Sequence, residues 1–223
     1  MGIGIEVLVP IKSVQEAKSR LSGFLNDGRR FGLTLYMLYR VLQAVRGLDK
    51  IIRCRVVGGD ATIRQVTESL SCVWGIEPGH DLNSSLRQAM HQSFESGASA
   101  LLIIPADLPF ITTMDIELVI NASRGCTFPT GVRAVKDGGT NALLIPSSIE
   151  VTPVFGEDSY ARHESQILSA GAKLLNVEAP GLFFDVDTPD DYDEAMDRCN
   201  GFSEGVRAWE HWIIDSSAGG DQG

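Results

Sequence analysis

The sequence predicts an α/β fold, a three-layer sandwich with a mostly parallel central sheet and helices on both faces. Three observations carry this expectation. Short β-branched or apolar runs alternate with stretches of helical periodicity along the first half of the chain. One of those runs, Ala100 to Ile104, is apolar throughout, as a strand covered on both faces has to be. The chain has 223 residues, 43% of them hydrophobic and 22% charged, which is enough to bury a sheet between two layers without staples.

The elements come in this order. Glu6 to Pro10 reads as a short strand. From Phe31 to Val45, apolar Leu35, Leu38, Leu42 and Val45 recur every three or four residues, which predicts a helix. Ile51 to Val57 is β-branched and is closed by Gly58-Gly59, so it reads as a strand running into a turn. A helix over 61–70, a short strand over 72–76 and a helix over 83–94 come next. The helix over 83–94 has Leu86, Ala89, Met90 and Phe94 on one face. After the apolar strand, Thr112 or Thr113 caps a helix that runs to Ala122.

The second half is less regular. Thr140 to Ile145 reads as a strand led in by Gly138-Gly139. Tyr160 to Ala170 reads as a helix ended by Gly171. Short strands are expected over 174–177 and 182–184. Thr188-Pro-Asp-Asp191 opens a helix with a cap, a proline at the first position and acids in the first turn. We read residues 1–200 as one domain and 201–223 as a C-terminal extension. Trp209 and Trp212 should dock that extension, while Ser216 to Gly223 should be loose. The sequence contains no internal repeat.

The balance of 19 basic against 29 acidic residues gives a net charge of −10. This argues against a nucleic-acid binder, which needs a basic face. No apolar run reaches the roughly 18 residues that span a bilayer, and the N-terminus lacks the basic-then-apolar pattern of a secretory signal. The four cysteines form no C-x-x-C pair, so we expect reduced thiols and a cytoplasmic location. There is no phosphate-binding G-x-x-x-x-G-K-[ST] loop, no G-x-S-x-G elbow and no dinucleotide fingerprint. The four histidines form no metal-ligand pair, and each alone reads as a surface or packing residue.

Ligands of a parallel sheet sit beyond the carboxyl ends of its strands, so the residues after each run matter most. Pro10-Ile-Lys12 followed by Lys18 and Arg20 puts three cations after the first strand. They suit a polyphosphate, or else a solvated helix face. Asp107, between Pro105 and Pro109 at the end of the apolar strand, suits a hard cation such as Mg²⁺ or caps a turn. Asp185 and Asp187 alternate along an expected strand and would face the same way, a repulsion that a shared cation relieves. Gly79-His-Asp-Leu82-Asn83 before a helix suits a base edge or an ordinary cap. Thr140, Gly156 and Ser159 lie in turn-like segments whose hydroxyls and open backbone suit a carboxylate or phosphate, or simply close turns.

Taken together and in this order, these strings resemble one family, the 2-phospho-L-lactate or phosphoenolpyruvate guanylyltransferases of deazaflavin coenzyme F-420 biosynthesis. The matching strings are Val9-Pro-Ile-Lys12, Ala17-Lys-Ser-Arg-Leu21, Asp81-Leu-Asn83, Pro105-Ala-Asp-Leu-Pro109, Gly139-Thr-Asn-Ala-Leu143, Phe155-Gly156 with Ser159-Tyr-Ala-Arg-His163, and Asp185-Val-Asp-Thr-Pro189. The resemblance implies a fold like that of nucleotide-diphospho-sugar transferases and molybdenum cofactor guanylyltransferases. Those carry a Gly-rich first loop, whereas this chain has no glycine between Gly4 and Gly23.

It further implies GTP as co-substrate, with Pro10, Gly79, Leu82 and Asn83 on the nucleotide. Mg²⁺ would sit on Asp107, Asp185 and Asp187. Lys12, Lys18 and Arg20 would be catalytic cations, and Thr140, Gly156 and Ser159 would bind a small phosphorylated acid. That acid is 2-phospho-L-lactate, phosphoenolpyruvate or 3-phospho-D-glycerate. A homodimer is compatible with the second-half hairpin. The alternatives are a nucleotidyltransferase for another acceptor, such as a sugar phosphate or molybdopterin, and a non-catalytic nucleotide-binding protein. His80 has no assignment from the sequence.

Overall fold

A computed structural model describes residues 4–75 and 81–218, with side chains up to residue 212. Seven strands form one sheet: β1 (Ile5–Ile11), β2 (Ile51–Gly58), β3 (Val73–Gly75), β4 (Ala100–Ile103), β5 (Thr130–Arg133), β6 (Thr140–Pro146) and β7 (Leu175–Asn176). Seven helices accompany them: α1 (Asp27–Arg46), α2 (Ala61–Ser69), α3 (Leu82–Glu95), α4 (Thr113–Ala122), α5 (Ser159–Ser169), α6 (Pro189–Arg198) and α7 (Phe202–Ala218). The strand order is β3-β2-β1-β4-β6-β5-β7. Strands β1 to β4 pair in parallel, while β6 is antiparallel to both β4 and β5. The mostly parallel three-layer expectation therefore holds.

Strand alternation divides the core. Val7 and Val9 of β1 face α1, α2 and α4, meeting Leu38, Leu42, Ile63, Val66 and Val119. Leu8, from the other side of β1, joins Leu101, Ile103 and Leu143 against Leu86 and Met90 of α3 and Ile167 of α5. The central strands are buried on both faces, which is why their sequences read as continuous apolar runs.

Capping residues set the helix boundaries. Asp60 caps α2 through the Thr62 and Ile63 amides. Thr112, not Thr113, caps α4 in a reciprocal box with Asp115; the Thr113 hydroxyl instead donates to the Ala44 carbonyl. Thr188 and Asp191 form the same box on α6, with Pro189 at the first position.

The structure corrects several expectations. Residues 182–184 are not a strand: Pro180–Leu182 is a 3₁₀ turn, and the extended chain after it has no sheet partner among the described residues. Strand β5 has no counterpart in the sequence pattern, and the expected strand over 174–177 shrinks to the two residues of β7. Ser216 to Ala218, expected to be loose, continue α7.

Helix α7 packs along α1. The backbones approach so closely that a Cβ on Gly32 would lie 2.6 Å from the Val206 carbonyl oxygen, and one on Gly205 would lie 2.4 Å from the Tyr36 ring. Phe202 and Val206 are fully buried there, and Trp209 stacks obliquely on Tyr39 and edge-on to Trp212.

Candidate active site

Sheet pairing explains why distant strings meet. β1 and β4 run in parallel with Leu8 opposite Ile103, so residues 12–20 and 104–109 leave the sheet at the same edge. β6 is antiparallel to β4 with Leu143 opposite Ile103, which brings Thr140, at its start, to that edge as well. The Val186 amide donates to the Asp107 carbonyl over 3.3 Å and lays the 184–188 segment against the loop after β4. Together they enclose a cavity of about 680 Å³.

One end of the cavity is charged. Asp107, Asp185 and Asp187 bring carboxylate oxygens within 4.8 Å of one another. Although Asp185 and Asp187 are not on a strand, the segment still alternates: both acids line the cavity, while Val186 between them is fully buried in an apolar cluster with Leu21 and Phe184. The Asp191 carboxylate accepts the Asp187 amide at 3.0 Å and so fixes this segment to the start of α6.

Lys18 spans the cluster, with Nζ 2.7 Å from Asp107 Oδ2 and 2.8 Å from Asp187 Oδ1. Burial opposes its charge, but the two carboxylates outweigh that and push its pKa up to about 12. The same ammonium holds Asp187 below the usual carboxylate range against the effect of burial. Asp185 has no such partner. Burial, then repulsion from Asp107 and Asp187, pushes it up to about 6. Three crowded carboxylates against one buried lysine leave an excess of negative charge, and a hard divalent cation such as Mg²⁺ fits that donor set.

Lys18 has φ +55°, the left-handed region that non-glycine residues rarely occupy. Its loop is held from two sides. The Val14 amide donates to Asp60 Oδ2 at 2.9 Å, and the buried Arg30 of α1 donates to the carbonyls of Gln15 and Ala17 at 2.8 and 3.1 Å. Lys12 and Arg20 line the cavity as exposed cations, and Arg20 stands 3.9 Å from Asp187.

At the other end, where Asp137 and Glu157 also border the cavity, the buried group behind the wall is uncharged. Thr140 Oγ1 and Ser159 Oγ are 2.9 Å apart, and His163 Nδ1 lies 3.0 Å from Thr140 Oγ1. The Val154 amide donates to His163 Nε2 at 3.1 Å. All three side chains are buried, and Phe155 packs against the imidazole. Burial and the nearby Arg162 pull the His163 pKa down to about 4, so the ring is neutral.

Gly156 borders the cavity at φ +125°, with open space where a Cβ would stand. Pro10 and Leu82 form another wall. Asn83 uses both sides of its amide on Phe155, accepting the Phe155 N–H at 2.9 Å and donating to the Phe155 carbonyl at 3.2 Å. It thereby ties α3 to the loop carrying Gly156. Gly79 and His80 lie outside the described residues.

The structure thus gathers Lys12, Lys18, Arg20, Asp107, Thr140, Gly156, Asp185 and Asp187 around one cavity, with Ser159 directly behind Thr140. Sequence reading missed Arg30, whose partners lie 13 and 15 residues away and leave no local pattern. The reading of His163 as a surface or packing histidine holds in its packing form, since the ring is buried against Phe155, but it left out the bond to Thr140. The signal available was its spacing: Ser159 and His163 are four apart on α5 and so share a face.

Comparisons with known proteins place the chain in a family. Residues 5–204 match the family described as "Guanylyl transferase CofC like". The chain is 35% identical over 192 residues to a phosphoenolpyruvate guanylyltransferase from Rubrobacter xylanophilus, covering 85% of this chain and 92% of that one. It is 30% identical over 194 residues to a 2-phospho-L-lactate guanylyltransferase from Methanobrevibacter smithii, covering 85% and 82%.

Among solved structures, a Desulfovibrio desulfuricans protein described as a nucleotide-diphospho-sugar transferase superposes with a TM-score of 0.74 at 17% identity, over 95% of this chain and 98% of that one. A 4-diphosphocytidyl-2C-methyl-D-erythritol synthase superposes with a TM-score of 0.61 at 12% identity, over 88% and 98%. These two likenesses establish the nucleotide-diphospho-sugar transferase-like fold. From the family match and the relatives together, the chain belongs to the CofC-like guanylyltransferase family.

Proposed function

We propose that this chain joins GTP to a small phosphorylated acid and releases pyrophosphate, the guanylyl transfer used in making coenzyme F-420. The acid is phosphoenolpyruvate, 2-phospho-L-lactate or 3-phospho-D-glycerate. The observation that carries the reading is the cluster of Asp107, Asp185 and Asp187, with Lys18 bridging two of them at the carboxyl edge of the sheet. Relatives named for two of these acids support the acceptor class.

An oxygen of the acceptor phosphate attacks the α-phosphorus of GTP; the bond to the β-phosphate oxygen breaks and pyrophosphate leaves. The acceptor is already an anion at neutral pH, so the site needs no general base. Its task is to hold two polyanions in line and stabilise spreading charge. Asp107, Asp185 and Asp187 would hold Mg²⁺, which when bound polarises phosphoryl oxygens as a Lewis acid. Lys18 neutralises the carboxylates and the phosphate that meets them. Lys12 and Arg20 draw the triphosphate in at the rim. Thr140 and Gly156 meet the acid with Ser159 behind Thr140, and Pro10 and Leu82 form the wall for the guanine nucleotide, to which Asn83 contributes by holding the loop that carries Gly156.

Incubation with GTP, Mg²⁺ and each acid in turn, with mass detection of the guanylylated product, tests the reading. One of the three acids should give product and pyrophosphate. No product with any of them overturns it.

A further inference from the structure

Behind Thr140, away from the charged end of the cavity, lies a buried histidine that the transfer reaction does not itself require. The Val154 N–H is a fixed donor, and it points at His163 Nε2. That nitrogen must present its lone pair, so the ring hydrogen sits on Nδ1. Nδ1–H in turn donates to Thr140 Oγ1. Thr140 therefore cannot donate back to the ring. Between them, the Thr140 and Ser159 hydroxyls carry two hydrogens, and their mutual contact uses one. One hydrogen is left over. Thr140 lines the cavity and Ser159 is fully buried behind it, so the pair reaches a ligand through Thr140, whose hydrogen is free for the cavity when Ser159 donates to it.

We infer that His163 is a positioning residue. Through its fixed tautomer it keeps the Thr140 hydrogen off the ring and so frees the Thr140–Ser159 pair to act as a hydrogen-bond donor to the anionic group of the phosphorylated acid. This rests on the guanylyl-transfer reading and goes beyond it by giving the neutral wall a direction. With an imidazole of the opposite tautomer, Val154 N–H would face another N–H, and Thr140 would be free to turn its hydrogen into the protein. A charged ring would create the same donor–donor conflict, and burial disfavours that charge.

The test compares KM for phosphoenolpyruvate with KM for GTP, both from pyrophosphate release, or for whichever of the three acids the wild type uses. His163→Leu keeps an apolar body against Phe155 but removes both ring bonds. It should raise KM for the acid about tenfold and leave KM for GTP within about twofold. His163→Gln offers one acceptor and one donor, and should restore KM for the acid to within about threefold. In a Thr140→Val background, His163→Leu should add nothing, because His163 acts through that hydroxyl.

An unshifted acid KM in His163→Leu overturns the inference, as does a further loss on top of Thr140→Val. Should the leucine variant fail to fold, ¹⁵N NMR of the wild-type imidazole decides: a hydrogen on Nδ1 is expected, and one on Nε2 overturns the inference. If the wild type releases no pyrophosphate with any of the three acids, the guanylyl-transfer reading falls. Wild-type turnover with unshifted variants removes the relay alone.

Discussion

The two ends of the cavity solve opposite problems, one around the buried Lys18 and the other around the buried His163. At the charged end, three carboxylates crowd one lysine, and Asp185 is left uncompensated. At the neutral end, Val154, His163, Thr140 and Ser159 pair with one another until one hydroxyl hydrogen remains. The first arrangement is unbalanced without a cation. The second is balanced in charge and leaves a single hydroxyl hydrogen to spend. The contrast teaches that burial alone does not mark a site as reactive or inert. What matters is the charge or hydrogen left over after the local pairing is counted.

The largest effect expected is at the charged end. Asp107→Asn keeps the shape and the contact to Lys18 but removes one of three anionic donors. Turnover should fall by about 10³-fold or more with the fold intact, as judged by circular dichroism and the thermal midpoint. Wild-type activity with unchanged metal dependence would remove Asp107 from the cluster and dissolve the contrast.

The neutral end should respond to pH through stability. The His163 pKa is about 4 in the fold, against about 6.5 in the unfolded chain. A depressed histidine costs nothing above its unfolded value and destabilises as pH falls below it. The cost should reach about 2 kcal/mol near pH 5 and ~3 kcal/mol near pH 4, then level off. Denaturant titrations of wild type and His163→Gln, compared from pH 7 to pH 4, should converge by that amount. A constant difference across the range would mean that the ring takes up its proton as readily in the fold as outside it.

The smallest effect sharpens the comparison at the rim. Lys12 is exposed and makes no short ion pair among the described residues. Lys12→Ala should raise KM for GTP and lower kcat, together about tenfold in kcat/KM, with a loss that shrinks at high salt. Wild-type kcat/KM in that variant would take Lys12 out of the site.

Much of this was legible in the sequence because one physical rule governed it. Continuous apolar runs such as Ala100 to Ile104 mark doubly covered strands, and the residues just past such a run stand at the carboxyl edge. That rule alone found Asp107 and the cations after β1. It failed where local pattern and tertiary partner part company. Leu182-Phe-Phe184 looks like a strand, but Pro180-Gly181 starts a turn there and Phe184 stacks on Phe110 instead of joining the sheet. β5 is hidden because Thr130, Gly131 and Arg133 have little apolar character, and Gly131 is there to leave room for the Tyr160 ring. In the tail, Gly, Ser and Asp mask a helix whose Phe202, Val206 and Trp209 already repeat at helical spacing.

The close seating of α7 on α1 has a practical consequence. Two of the three indoles in the protein, Trp209 and Trp212, belong to this one aromatic cluster, while Trp74 stands apart in β3, its N–H on the Gly58 carbonyl. Intrinsic emission is therefore weighted toward detachment of the last helix. A variant with phenylalanine at positions 209 and 212 would turn the same spectrum into a single-site reporter at the Gly58 end of β2.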